Sequence, residues 1–355
     1  MTRRATLCRY GKHLGESGPG FEASFERLEK RLALSCSASI VDGVLMIEGD
    51  DMANTIEVSI DGSGETLAAE VTCDGEMIDV SELGEFTSVE IDGGDGADEI
   101  NATVTDIAVG SEEVFELEVD GGKGSDTINL TAFGLSAADG GEISIEAEGG
   151  RGADFVTGSF DGISVGDGGT VNLEVEGGRG ADEITLNLGT PEVPEAFEAS
   201  VFVEEGGLLN VSAEGGKKAD IMEVNVNSVH IAGQAMLELE MGRGHDIAVM
   251  NVDGVTVEET GFLNVEVEGG RGDDTFDLFA RNLTIAGNVE ATVEGGPGDD
   301  TGTVDLDTTE VQETADVAII VEGGPGQDSG MALIGPDVDV HPDANLFIDI
   351  DEGPQ

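Results

Sequence analysis

The chain repeats itself. The stretch Glu268-Gly269-Gly270-Arg271-Gly272-Asp273-Asp274-Thr275-Phe276 reads acid, Gly-Gly, variable, Gly, variable, Asp, variable, apolar. Variants start at the Gly-Gly pairs of Gly93, Gly121, Gly149, Gly177, Gly215, Gly295 and Gly323, and at Met241-Gly242. Subtracting consecutive starting positions from 93 to 323 gives 28, 28, 28, 38, 26, 28, 26 and 28 residues. A unit of this length cannot bury an apolar face alone, whereas a stack of them can. An elongated solenoid is therefore expected.

The residues between the turns give the coil its shape. In Leu263-Asn264-Val265-Glu266-Val267-Glu268, Leu263, Val265 and Val267 alternate with polar residues, the signature of a half-buried strand. After the Gly-rich turn, Phe276 and Leu278 point inward from a second strand. Leu283-Thr284-Ile285-Ala286 makes a third short strand before Gly287-Asn288 turns into the next coil. The fold class is all-β, a right-handed parallel β-helix of about 26–28 residues and three short strands per coil. Stacking aligns Ile100, Ile128, Val156, Ile184, Met222, Ala248 and Phe276 in one apolar column. The column ends at Gly302 and Gly330, so the last coils are expected to pack less well. The long 38-residue spacing holds an extra loop, Gly189–Ala196. Residues 40–92 read as N-terminal cap coils and 93–353 as the solenoid proper. Within the cap, Gly49–Ile56 is a decayed copy of the unit, with Asn54 at the Asp position and Met52 at a Gly position.

Charge narrows the partners. Lys+Arg is 15 against Asp+Glu 76, a net −61, which opposes nucleic-acid binding because phosphates need basic patches. Such acidity often means disorder, but 39% of residues are hydrophobic and they alternate with the acids. No run of about 18 apolar residues is present, so no membrane span is expected. Cys8, Cys36 and Cys73 are odd in number and scattered, and no disulfide framework is expected.

Three columns run along the Gly-rich edge. Asp98, Asp126, Asp154, Asp182, Asp220, Asp246, Asp274, Asp300 and Asp328 occupy the Asp position in all nine turns. An acid precedes every turn, from Asp92 and Asp120 to Glu294 and Glu322. Lys123, Arg151, Arg179, Lys217, Arg243 and Arg271 follow the Gly pair in six of the nine. Stacked strands lie about 4.8 Å apart. Two like charges at that distance repel by roughly 0.9 kcal/mol even at the dielectric of water. Two acidic columns over nine turns therefore need compensation. The basic column supplies part of it; a divalent cation between successive carboxylates would supply more. Calcium takes six to eight oxygens and accepts backbone carbonyls. The expected ligand set is the nine aspartates with the turn glycines Gly94, Gly96, Gly122, Gly124, Gly150, Gly152, Gly178, Gly180, Gly270, Gly272, Gly296, Gly298, Gly324 and Gly326. The alternative is a tight turn in which Asp caps backbone amides. The weakest sites are expected at Lys218, which replaces a Gly, and at Met241, which breaks its pair.

On these residues the unit resembles the GGxGxDxUx nonapeptide of RTX (haemolysin-type) calcium-binding proteins, over roughly residues 90–331. The resemblance implies a parallel β-helix, secretion, and calcium held between stacked turns by the Asp carboxylate and turn carbonyls. RTX motifs usually follow one another directly; here there is one per 26–28 residues. A wider coil with a single calcium-type edge is therefore expected. Residues 1–39 carry seven of the 15 basic residues. There Phe25, Leu28 and Leu32 share one helical face, and Leu28–Leu34 resembles the LEPR-xLL segment of large exported bacterial proteins. Lys30 stands where that segment has Pro, and a disordered basic tail is the alternative.

The expected function is a secreted or cell-surface bacterial β-solenoid that binds calcium and serves a structural or surface-interaction role. Its partners would be calcium, cell-surface or matrix components, or copies of itself. A polysaccharide-acting β-helix enzyme, lyase-like, is the alternative from another class. Against it, Trp is absent, Tyr10 is the only Tyr, and no catalytic motif is present. A calcium-independent, self-assembling adhesin or fibre is a third reading. Arg271-Gly272-Asp273 is a product of the repeat, and His13, His230, His245 and His341 lack metal-ligand spacing.

Overall fold

A computed structural model describes residues 36–64, 66–190 and 200–351. The basic segment as far as residue 35, and the extra loop from Pro191 to residue 199, lie outside the described residues. The described chain is a parallel β-solenoid. Strands before the Gly-rich turns form one sheet, strands after them a second, and the short strands a third. One coil shows how. Phe262–Glu268 belongs to the first sheet, Thr275–Arg281 to the second and Thr284–Ile285 to the third. Each pairs in parallel with its counterpart one coil earlier and one coil later.

Alternation fixes which side of each strand is buried. In Thr127–Phe133 the inward Ile128, Leu130 and Ala132 are buried, while their neighbours face out. The apolar column is in register as the repeat requires: Ile100, Ile128, Val156, Ile184, Met222, Ala248 and Phe276 pair in succession. Length changes are absorbed in loops. Ile231 to Gln234 takes three steps, where Val257 to Phe262 takes five, yet Gln234 pairs with both Leu208 and Phe262. The 26-residue coils thus lose two residues from one turn without a register slip, which would turn the core face outward. The longest insertion leaves Ile163 paired with Val201.

The first described strands stack on the solenoid, with Val44–Glu48 and Thr55–Asp61 parallel to the next coil, and add antiparallel partners to it. β1 (Ser37–Val41) pairs antiparallel with β2 (Val44–Glu48). β3 (Thr55–Asp61), β4 (Ala68–Cys73) and β5 (Glu76–Ile78) form an antiparallel meander. The third sheet begins only at Ala108–Val109, so complete three-sided coils start there. The expectation of no disulfide is corrected here. Cys36 and Cys73 are bonded, 37 residues apart, with both side chains buried. The hairpin explains it, because β4 faces β3 and turns Cys73 into the core opposite Ile56. Two cysteines without any motif around them gave no sign of this.

The loose packing expected at the last coils is half right. A methyl group on Gly302 would lie 1.8 Å from Phe276 Cε2, so the Phe276 ring already fills that space. Gly330 has room: its nearest neighbours would be Val321 Cγ1 at 3.5 Å and Ile350 Cγ2 at 3.7 Å. No helix among the described residues is long and apolar enough to cross a membrane.

Candidate metal centre along the Gly-rich edge

The Gly-rich turn makes two demands on glycine, a left-handed backbone and a close approach to the preceding coil, and the second glycine meets both, as Gly122 shows with Gly94 O only 2.2 Å from a Cβ. The second glycine of all nine turns is left-handed, with φ between 87° and 96° from Gly94 to Gly324. A side chain there is disfavoured whatever the space around it. The third glycine answers a close approach. A Cβ on Gly124 would sit 1.6 Å from Gly96 O of the preceding coil and 2.8 Å from Asp126 Oδ1. Lys218, the exception at this position, takes φ 88° instead. The turns also stack in register through single parallel bridges, Asp95 to Lys123, Arg151, Arg179, Lys217, Arg243 and Arg271.

This turn brings the nine aspartates into one unbroken file. All are buried, Asp126 completely and Asp328 at 8% exposure. Each Oδ1 accepts the backbone N–H of the Asp one coil earlier: Asp98 N to Asp126 Oδ1 at 2.7 Å, Asp154 N to Asp182 at 2.8 Å, Asp220 N to Asp246 at 2.7 Å, Asp300 N to Asp328 at 2.9 Å. Asn54 N donates to Asp98 Oδ1 at 2.6 Å and heads the file, as its place in the decayed copy requires. The amide-capping alternative thus accounts for one oxygen of each carboxylate. It does not account for the other. Oδ2 is buried and without a hydrogen-bond partner in all nine.

An orphaned carboxylate oxygen is costly. Burial pushes the carboxyls of Asp126, Asp154, Asp182, Asp246 and Asp300 up to about 6 and that of Asp220 up to about 7. The N–H on Oδ1 opposes the rise without cancelling it. Neighbouring aspartates of the file add to it for Asp126, Asp154, Asp220, Asp246 and Asp300, whereas Lys218 lowers Asp182. Asp98 and Asp274 are raised by burial too. The acids before the turns form a parallel file, half-buried from Asp120 to Glu268 and exposed at Asp92, Glu294 and Glu322. There burial, then Glu214 and Glu148, raise Glu176 to about 7.

The donor set tests whether calcium would fit. A methyl on Gly121 would lie 2.7 Å from Gly149 O of the next coil and 3.3 Å from Asp126 Oδ2. The same pairing recurs at Gly149 (Gly177 O at 2.8 Å, Asp154 Oδ2 at 3.2 Å) and at Gly177 (Gly215 O at 2.9 Å, Asp182 Oδ2 at 3.0 Å). Orphaned carboxylate oxygens and carbonyls of adjacent coils therefore converge wherever the first glycine leaves room. The donors are all oxygen, which suits a hard cation and not a thiolate- or imidazole-seeking one. Among the described residues no three His, Cys, Asp or Glu side chains cluster as a metal site, so carbonyls or water would have to complete the coordination.

The expected ligand glycines, the second and third of their turns, all lie along this edge, but the carbonyls nearest Oδ2 belong to the first glycines, such as Gly149 and Gly177, which were not expected, and three members of the expected columns were left out. Gly216, Gly242 and Gly244 belong to the same columns, with Gly216 and Gly242 left-handed and a Cβ on Gly244 only 1.6 Å from Lys218 O. Met241 and Lys218 break the glycine pattern of those two turns, but the unbroken spacing to Asp220 and Asp246 marks the turns as intact. No family model, curated protein or solved structure matches the chain.

Proposed function

We propose that the chain is a calcium-binding β-solenoid, exported to the cell surface or beyond, with a structural or surface-interaction role and no catalytic one. One observation carries the reading: nine buried Oδ2 atoms without a partner, stacked in a single file. A column of carboxylates this close must lose its charge or share it. Protonation does so only in acid; a cation between coils does so at neutral pH. The residues that would hold it are the nine aspartates and the first-glycine carbonyls beside them. When bound, calcium would supply positive charge and fix the spacing of neighbouring coils. The RTX-like unit and the export-like N-terminal segment support the same reading.

A second reading draws on the Oδ1 ladder. Its amide bonds satisfy the turn backbone without metal, so a calcium-independent rod is also consistent with the geometry. Far-UV circular dichroism of the full chain separates the two. After chelation, calcium should raise the β signal or the melting temperature, and magnesium should not, because it demands a stricter octahedral shell. Indifference to both ions would remove the calcium assignment and leave the rod.

A further inference from the structure

The repeat places six cations in one exposed file. Lys123, Arg151, Arg179, Lys217, Arg243 and Arg271 follow one another through in-register bridges, one per coil. The file is bounded: Asp95 precedes it, and Pro297 takes the position after Arg271. Lys123 pairs with Asp95. The other ion pairs among the described residues are His230–Glu258, His245–Asp273 and Arg281–Asp305. Arg151, Arg179, Lys217, Arg243 and Arg271 therefore reach no carboxylate, in a chain of net charge −61. Five like charges held side by side, none of them in an ion pair, leave their donors free for an anion from outside.

The surroundings say which kind. Two shallow grooves of about 450 and 530 Å³ run along this edge and share Glu148 and Arg179. One wall carries the cation file and the other the acid file, with turn glycines between them. Arginines bind carboxylates or sulfates, and carboxylates accept hydrogen bonds from hydroxyls. A ligand using both walls is a polyol and a polyanion at once. Spacing argues against two other polyanions. The cations recur at about 4.8 Å, over about 24 Å in five steps. An extended peptide with an acid at every second position advances about 6.6 Å and drifts out of step. Duplex phosphates, at about 3.4 Å along each strand, drift the other way.

We propose that this edge binds a linear anionic polysaccharide lying parallel to the solenoid axis, with its carboxylates or sulfates on the cation file and its hydroxyls toward the acid file. A second copy of the chain is the other anionic partner to weigh. It would set −61 against −61, whereas a six-charge oligosaccharide brings about a tenth of that charge and so of that repulsion. The proposal names a partner for the surface role above, but it stands on the cation file and does not require calcium.

The test is calorimetric titration of the full chain, in calcium and in chelator. The probes are a linear oligouronate of about six residues, a sulfated oligosaccharide of similar length, and the methyl-esterified, neutral form of the first. Both acidic probes should bind and the ester should not; the tighter of the two identifies the anionic group. Affinity should fall with added salt. It should drop about tenfold or more in Arg151→Gln/Arg179→Gln/Arg243→Gln, with an unchanged β signal, and should be largely kept in the corresponding triple Lys variant. Equal binding of the ester, no binding of either acid, or indifference to the Gln substitutions would overturn the proposal. So would self-association, by sedimentation, that depends on the same arginines without sugar binding. Sugar binding by a chain whose fold ignores calcium would uphold this inference and sink the calcium reading; the opposite pattern would do the reverse.

Discussion

Asp154 concentrates the energetics of the whole edge in one side chain. Its Oδ1 holds the N–H of Asp126, and its Oδ2 holds nothing. Asn keeps the first oxygen and removes the charge. Its carboxyl is raised from 3.8 to about 6. At 1.36 kcal/mol per unit, this puts the cost of the buried charge at about 1–3 kcal/mol near neutral pH. Asp154→Asn should therefore stabilise the chelated protein by about that much in urea melts. Asp154→Ala should fall below Asn by about 1–3 kcal/mol, because the Asp126 N–H loses its acceptor. If calcium is the natural counter-charge, the Asn variant should lose its advantage when calcium is added. The glycines make a second pair of predictions. Gly122→Ala meets φ 87° and also brings a Cβ to 2.2 Å from Gly94 O, and should cost about 2 kcal/mol or more. Gly124→Ala, 1.6 Å from Gly96 O, should cost more, since backbone on both sides must move. A cost below about 1 kcal/mol for either in denaturant melts would mean that the coils separate more easily than their close approach implies.

At the scale of a strand, the last coils separate filled from unfilled space. Gly302→Ala collides with the Phe276 ring and should destabilise by about 1–3 kcal/mol. Gly330→Ala would meet Val321 and Ile350 at ordinary contact distance, without a clash, and should stabilise by roughly 0.5–1 kcal/mol. Thermal melts of both variants check the signs, and the same sign for both would refute the packing described. These two glycines also show what the sequence could and could not disclose. Period, strand count and the inward column were legible, because alternation and a 28-residue repeat leave few other ways to bury Ile128, Val156 and Ile184. That Phe276 would lean across to fill the space at Gly302 was not, because rotamers are settled by neighbours one coil away. The Asp file was legible as a column, but its split into a bonded Oδ1 and an orphaned Oδ2 depends on the turn's backbone path. The antiparallel pairings within β1–β5 and the Cys36–Cys73 bond were hidden for another reason, since the cap carries only one decayed copy of the unit. By loop-closure entropy that bond is worth about 3–4 kcal/mol, which a Cys36→Ser/Cys73→Ser variant should lose.

For the molecule as a whole, the buried file sets how stability follows pH. The fold raises these carboxyls from 3.8 to about 6 or 7, and so favours their protonated form. The stabilising contribution is complete below the unfolded value near 3.8 and is lost as pH rises through 6 to 7. Self-repulsion from a net −61 acts in the same direction as the remaining acids ionise. The chelated chain should therefore melt highest near pH 4–5 and fall steadily toward pH 8. Salt divides the two causes. At about 1 M the Debye length shrinks to about 3 Å, which removes repulsion between exposed charges but not the desolvation of the buried file. High salt should thus recover only part of the loss at pH 8. Calcium at millimolar concentration should recover the rest, because an ion on the Oδ2 atoms lets the carboxylates stay charged inside the fold. With calcium present the slope between pH 5 and 8 should flatten or reverse, since protons and calcium compete for the same oxygens. A chelated melting temperature that does not change from pH 4 to pH 8 would mean that the Oδ2 atoms are solvated or paired. The need for a cation along this edge would then disappear.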